Sequence, residues 1–435
     1  GAALDLEALE RAVDDKPLAM LYDAAKWEEN LAELRDKAFA GEHFVHACAV
    51  KTNPLEWFLR RAKELGHGAE CASISEVKHA LDLGFEPGKV VFDSPCKTVA
   101  EIRFALARGV HLNMDNLQEL ERVRAIVAQL GPNMQSKTLG IRVNPLVGAG
   151  TIAAFSVSTG KSKFGVPLPR EGADRELLLD TVVKHNWINC VHVHTGSGGM
   201  GLEQLVSGVE TAVRFALQVN ERAGTKQIRT IDMGGGLGVD YKTTETLLSD
   251  FQGYADALRA RVPEIFDTTV FDRVVTEFGA AVQCKFAILA SRVEYTKSYD
   301  GGRIALIHAG SDVFMRACYC PETFIHHRVL TFDAKGFAKD ASDPDSLVPH
   351  DIAGPLCFAG DVVVHDVRVP PLEVDDIVVL TDVGGNSLSI RTTHCSRQSP
   401  PVYVFHVKDD GSVDFDLVQA TQPVADTLLP WRCPS

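Results

Sequence analysis

Apolar runs of strand length alternate with amphipathic stretches over the first two-thirds of the chain. The runs are 44–50 (FVHACAV), 67–72, 89–93, 110–114, 138–144, 188–194, 229–233 and 273–277. Between them, 54–65, 75–83, 98–108 and 202–222 carry apolar residues at helical spacing. Near-continuous apolar strands alternating with helices predict a parallel sheet. Eight such units over about 250 residues predict a (β/α)8 barrel. A doubly wound open sheet would need fewer strands and a glycine-rich turn after the first. The first run ends instead in Lys51-Thr52-Asn53-Pro54.

Beyond about residue 285 the rhythm changes. Runs at 287–297, 303–308, 328–333, 362–369, 376–381 and 402–407 are short, β-rich and separated by Pro, Gly and Asp. They predict an antiparallel β-sandwich or barrel. Residues 17–22 (PLAMLY) read as a strand that joins this second domain. The expected organisation is an α/β TIM barrel over 24–285, with a β-domain built from 1–23 and 286–435.

Composition narrows the function. The chain has 435 residues, with Lys+Arg 44 against Asp+Glu 58, a net charge of −14. An acidic surface argues against nucleic acid or anionic membrane as a partner. No apolar run approaches the roughly 20 residues of a membrane span. The opening Gly1-Ala2-Ala3-Leu4-Asp5 has no basic segment followed by an apolar one, so no signal peptide is expected. The ten cysteines are scattered without a CxxC pair; Cys318 and Cys320 form only a CxC. Reduced thiols in a cytoplasmic compartment are expected.

In such a barrel the active site lies at the carboxyl ends of the strands. Those ends carry Lys51, Glu70, Asp93, Arg142, His194, the Gly234-Gly235-Gly236 run and Glu277. A lysine ending a buried strand is partly desolvated, which favours the neutral amine and Schiff-base chemistry. Taken alone it also reads as a lysine entering a solvated loop. Glycines after the strand TIDM let backbone N–H groups close on a phosphate, and Ser197 can add a hydroxyl. A plain tight turn uses the same residues. Glu277 can pair with a pyridinium nitrogen or form an ordinary structural ion pair. His192 and His194 face the same side of a strand and can bind zinc. A metal-dependent hydrolase would draw further ligands from Glu70, Asp93 and Glu277. No other barrel strand ends in histidine, and no metal is expected.

Together these residues resemble the pyridoxal-phosphate decarboxylases of the diaminopimelate, ornithine and arginine type, fold type III with an alanine-racemase-like barrel. The resemblance covers nearly the whole chain. It runs in order through Ala49-Val50-Lys51-Thr52-Asn53-Pro54, Glu70-Cys71-Ala72-Ser73, Arg142-Val143-Asn144-Pro145, Lys163-Phe164-Gly165, His194-Thr195-Gly196-Ser197, Asp232 to Gly238, Gly354-Pro355-Leu356-Cys357, Asp382 to Ser389 and Ser396-Arg397. It implies a homodimer with shared active sites. Pyridoxal 5'-phosphate would be held by Lys51 as a Schiff base, with Glu70 at the next strand end and Arg142 near the ring oxygen. His194 would pack on the ring face, and Glu277 would keep the ring nitrogen protonated. Gly234, Gly235, Gly236, Ser197 and Gly279 would bind phosphate. Cys357 from the neighbouring subunit would protonate the product. A racemase on the same barrel would gain from an unprotonated ring nitrogen, which Glu277 opposes. A non-catalytic relative would be expected to lack Lys51 or Cys357, and both are present.

The chain departs from the family pattern at informative places. Ala280 stands where an arginine usually follows Glu-x-Gly. Asn386 stands where a tyrosine usually reaches phosphate, and is itself expected at the cofactor. Phe358 replaces an acidic residue that binds a distal ammonium. Arg316 matches an arginine that binds a distal carboxylate, while the tyrosine usual four residues later is Cys320, beside Tyr319. An apolar ring cannot pair an ammonium, and leaving that charge unpaired costs several kcal/mol. The expected reaction is decarboxylation of an α-amino acid, or of a carboxylate-bearing amino-acid conjugate of the kind used in siderophore assembly, with Arg316, Tyr319 and Phe358 in the substrate pocket. The alternative is meso-diaminopimelate decarboxylase.

Overall fold

The computed structural model describes residues 17–153, 156–241, 248–321 and 327–433. The expectations for Gly1–Asp5, and for most of the segment 1–23, lie outside the described residues. The described chain divides into two units. One draws on 29–239 and 248–282, the other on 17–28, 240–241 and 283–433.

β1 (Leu18–Asp23) belongs to the second unit. The first unit is a closed parallel barrel. Its strands are β2 (Phe44–Ala49), β3 (Gly68–Cys71), β4 (Val90–Phe92), β5 (His111–Met114) and β6 (Leu139–Asn144), then, past the two-residue β7 (Val166–Pro167) beside β6, β8 (Cys190–Val193), β9 (Thr230–Asp232) and β10 (Arg273–Thr276). β10 pairs with β2 and closes the ring. All eight barrel strands coincide with the apolar runs, because a strand covered on both faces is apolar throughout.

The predicted helices also form. Helix Val99–Arg108 opens on a capping box, in which Thr98 and Glu101 satisfy each other's backbone N–H groups, and ends at Gly109 with φ 84°. Helix Leu202–Ala223 buries Leu205, Val206, Val209, Ala212, Val213, Ala216 and Val219, its one apolar stripe. Each large aliphatic side chain so buried contributes about 1.5–3 kcal/mol. Among the described residues no helix is long and apolar enough to cross a membrane.

The second unit contains β11 (Ala287–Tyr299), β12 (Gly302–Ile307), β13 (Val329–Phe332), β14 (Val348–Ala353), β15 (Val362–Val369), β16 (Ile377–Thr381), β17 (Val402–Val407) and β18 (Val413–Gln419). The path runs β15-β14-β12-β11-β1-β17-β18, and β16 joins β11 to β13. The long β11 pairs with β1 and β16 through 287–292 and with β12 through 293–299. The sheet is mixed, which corrects the antiparallel expectation: β1–β17 and β12–β14 are parallel. A parallel neighbour needs a long crossover, and the whole barrel lies in the chain between β1 and β17. β14 and β18 were not predicted. β14 contains Pro349, and β18 is an edge strand with Phe415 and Leu417 exposed.

His46 and His67 are among the buried histidines of the barrel unit. His46 on β2 accepts from or donates to Thr276 Oγ1 at 2.9 Å, and its ring centroid is 5.9 Å from that of His67. Burial lowers the pKa of His46 to about 3 and that of His67 to about 4. The unfolded chain, titrating near 6.5, therefore binds protons that the folded chain refuses, so stability falls as pH drops below about 6.5. By pH 4.5 each histidine is expected to cost up to about 2–3 kcal/mol. Thermal melts from pH 7 to 4.5 should show a falling midpoint, and His67→Gln should flatten that fall.

Candidate active site

Lys51 sits in the turn that follows β2, its side chain half-exposed, and forms an ion pair with Glu70 at the end of β3, whose carboxyl is fully buried. Asp93 follows β4. Its Oδ2 lies 3.6 Å from Arg142 Nη1 and 3.9 Å from His192 Nε2, and the same Arg142 atom lies 3.9 Å from Asp115 Oδ1. His192 Nε2 is 3.4 Å from Glu277 Oε2. Cross-strand register explains the meeting: Arg142, His192 and Asp232 are level neighbours on β6, β8 and β9.

Burial alone would lower the pKa of Lys51. The carboxylates of Glu70, Asp93 and Glu277 outweigh it, and the pKa is raised. This corrects the expectation of a neutral amine: the Lys51 side chain is half-exposed, and three acids converge on it. The acids respond unequally. Burial would raise Asp93, yet Lys51 and Arg142 hold it below the ordinary carboxylate range. Burial raises Glu70 well above that range, with Asp93 and Glu277 adding to the effect against Lys51. Burial, with Asp93 nearby, pushes Glu277 up to about 8. Asp232 is also raised, by burial and then by Glu277.

The glycine run is built by backbone chemistry. Gly234 and Gly236 have φ 66° and 102°, a region side-chain-bearing residues rarely adopt. A Cβ on Gly235 would collide with the carbonyl of Glu277. Asp232 Oδ1 accepts from Gly234 N–H at 3.1 Å, and Asp232 Oδ2 accepts from Asn113 Nδ2 at 2.9 Å. Gly235 N–H donates to His194 Nδ1 at 3.1 Å, so the ring proton sits on Nε2, 2.9 Å from Ser197 Oγ. Ser197 then accepts from His194 and keeps its own proton for another acceptor. The Lys163-Phe164-Gly165 motif has a local role as well. The Arg142 guanidinium lies 4.6 Å over the Phe164 ring, and Gly165 N–H donates to Asp115 at 3.1 Å.

The remaining predicted residues lie in the β-unit. Arg316 and Asn386 line one cavity of about 50 Å³ with Tyr241, His327 and Asp382. Asn386 has φ 55°. Burial lowers the pKa of Arg316, against Cys284 and Tyr241, which raise it. Tyr319 and Phe358 stack, ring centroids 4.7 Å apart and planes 15° apart. Cys357 is exposed on a loop that closes on buried Asp361, whose carboxylate accepts from Ser311 N–H at 2.5 Å and Leu356 N–H at 2.7 Å.

The barrel end suits a phosphorylated pyridine ring with an aldehyde. Glu277 Oε1 is buried with no hydrogen-bond partner among the described residues, a place a ring N–H can fill. A Cβ on Gly279 would strike Thr52 Oγ1, so that turn too is a cradle only glycine allows. Asp93 reads in the sequence as a strand end and a ligand of the competing metal reading, and nothing in its neighbours Phe92 and Ser94 announces its pairing with Arg142. Tyr241 and Asp361 carried no signal of their own. The two histidines of the HxH pair, weighed as a competing zinc site, have different partners. His194 turns to Ser197 and the glycine loop, while His192 meets Asp93 and Glu277.

Residues 26–283 match the family described as pyridoxal-dependent decarboxylase, pyridoxal binding domain. The chain is 29% identical over 387 residues to a diaminopimelate decarboxylase of Helicobacter pylori, covering 87% of each. It is 27% identical over 437 residues to one of Methanothermobacter thermautotrophicus, covering 99% of this chain and 95% of the relative. The crystal structure of Helicobacter pylori diaminopimelate decarboxylase complexed with L-lysine superposes with a TM-score of 0.79 at 24% identity over 98% of both chains. The arginine decarboxylase of Paramecium bursaria Chlorella virus gives 0.70 at 19% identity over 92% of this chain and all of that one. Both structural likenesses speak to the fold.

Asp93 raises the pKa of Lys51 through space, so Asp93→Asn should lower it. The pH dependence of Lys51 labelling by an amine reagent, read by mass spectrometry on the cofactor-free chain, should move to lower pH. An unmoved profile would show that Asp93 does not set the charge of Lys51.

Proposed function

The chain belongs to the pyridoxal-dependent decarboxylase family and is a pyridoxal-phosphate-dependent amino-acid decarboxylase; from that premise we propose that its substrate is an α-amino acid whose side chain ends in a carboxylate, amino-acid conjugates of the siderophore-assembly kind included. The observation that carries this reading is the cavity of Arg316, Asn386 and Tyr241, a cation beside two neutral hydrogen-bonding groups in a space fit for one small polar group, while Asp382, also on its wall, is paired with Arg328 at 3.5 Å. Phe358, stacked on Tyr319, supports it from the other side, since that pair offers no anion to a distal ammonium.

Bound in the barrel, the pyridoxal ring supplies an electron sink for the charge that loss of CO2 leaves on the α-carbon. Lys51 is the residue to hold it covalently. Glu277, which carries a proton near neutral pH, serves the ring nitrogen. His194, fixed by Gly235, would pack on the ring. Gly234, Gly235, Gly236, Gly279 and Ser197 would hold the phosphate, and Arg142, backed by Asp93, would serve the ring oxygen. Glu70 holds the Lys51 ammonium in place. Asn386, expected at the cofactor, lines the cavity with Arg316 and is read here at the substrate tail instead.

Cys357 of a second copy of the chain returns a proton to the α-carbon, which makes the working unit a homodimer. Its exposure on a loop held by Asp361 supports that role. A cytoplasmic setting is supported by ten cysteines, every one of them free. The second reading, meso-diaminopimelate as substrate, is favoured by relatives named diaminopimelate decarboxylase that span 87% or more of this chain.

A panel of substrates followed by CO2 release separates the two. Carboxylate-tailed amino acids without a distal ammonium should be turned over faster than diaminopimelate or ornithine, and the reverse order would reject the proposed substrate class. Arg316→Met should lower kcat/KM for the preferred substrate by about 2 kcal/mol or more, roughly thirtyfold, mostly through KM. Cys357→Ala should slow kcat by about 10²- to 10⁴-fold while leaving cofactor absorbance unchanged.

A further inference from the structure

Asp93, His192 and Glu277 come from three different strands and place one donor atom each within 4.8 Å of one another. All three are buried, and His192 is fully so. Neither ring nitrogen of His192 makes a hydrogen bond among the described residues, and Glu277 Oε1 has no partner either. A buried neutral imidazole ordinarily gives its N–H to an acceptor at good geometry. Here Nε2 stands 3.4 Å from Glu277 Oε2 and 3.9 Å from Asp93 Oδ2, between the two carboxylates rather than bonded to either. Ligand atoms at about 2.0–2.1 Å around a tetrahedral zinc lie about 3.3 Å from each other. The His192–Glu277 spacing already matches that figure, and Asp93 needs only a small approach. One nitrogen and two carboxylate oxygens, with a fourth position open, is a donor set that borderline divalent cations take.

We propose that the cofactor-free barrel binds one divalent transition cation, of the zinc type, through His192, Asp93 and Glu277, and that this cation and pyridoxal phosphate exclude each other. The exclusion rests on Glu277 being the residue that meets the ring nitrogen, as in the proposed function. One carboxylate cannot serve a metal and a pyridinium at once. The cation therefore acts as a competitive block on cofactor uptake, and its site is distinct in composition from the predicted HxH pair, since His194 is committed to Gly235 and Ser197.

The test uses the full chain, stripped of cofactor by a carbonyl reagent and of metal by a chelator. Titration with Co2+ should raise a visible ligand-field band that saturates at one equivalent and is displaced by Zn2+. The chain loaded with pyridoxal phosphate should give no band. Zinc at ten times its own dissociation constant should weaken apparent cofactor affinity about tenfold. His192→Asn should abolish the band and Asp93→Asn should weaken Co2+ binding at least tenfold, with circular dichroism and melting confirming that both variants are folded. No band on the stripped chain, a band that survives both substitutions, or zinc without effect on cofactor uptake would overturn the proposal. Failure to take up pyridoxal phosphate at all would count against the cofactor seat instead, and the Co2+ titration of the stripped chain would still decide the metal site.

Discussion

Too many carboxyl groups face too few cations at the mouth of the barrel, and the site follows from how that imbalance is settled. Glu70, Asp93, Asp232 and Glu277 are all buried there, opposed by Lys51 and Arg142. An isolated carboxylate does not stay ionised in a low-dielectric interior; it pairs or takes a proton. Asp93, against Arg142 and Lys51, remains the anion. Glu70, Asp232 and Glu277 are pushed toward the protonated form. The same groups hold the Lys51 ammonium charged and leave Glu277 with its proton near neutral pH.

A second constraint is positional. His111, Asn113 and Asp232 form a hydrogen-bonded line inside the barrel that ends on the Gly234 amide. Gly140 on β6 has no side chain because a Cβ there would occupy the place of Asn113 Oδ1. From Gly235 the order continues through His194 to Ser197. The glycine loop and His194 are thus set by the polar interior of the barrel rather than by surface contacts. Preorganised donors of this kind cost no rearrangement when charge arrives.

The β-unit carries a different kind of information. Its small cavity joins Arg316 to Tyr241, Asn386 and Asp382, and its exposed loop carries Cys357 next to a Phe358–Tyr319 stack. The barrel end gathers ionisable groups, whereas the Phe358–Tyr319 stack is an aromatic, uncharged surface.

Much of this was legible in the amino-acid sequence. Eight buried parallel strands read as apolar runs, and their carboxyl ends carry Lys51, Glu70, Arg142, His194, the glycines and Glu277. Order along the chain was enough, because barrel topology sends every strand end to one rim. The charge of Lys51 was not legible, nor the part played by Asp93, nor the meeting of His192 with Glu277. The parallel pairing of β1 with β17 and the edge strand β18 were missed too. Local pattern reports what a segment buries, and so determined the elements and the rim. The protonation and partners of a buried group depend on what faces it through space from distant strands, and only the tertiary structure decided those.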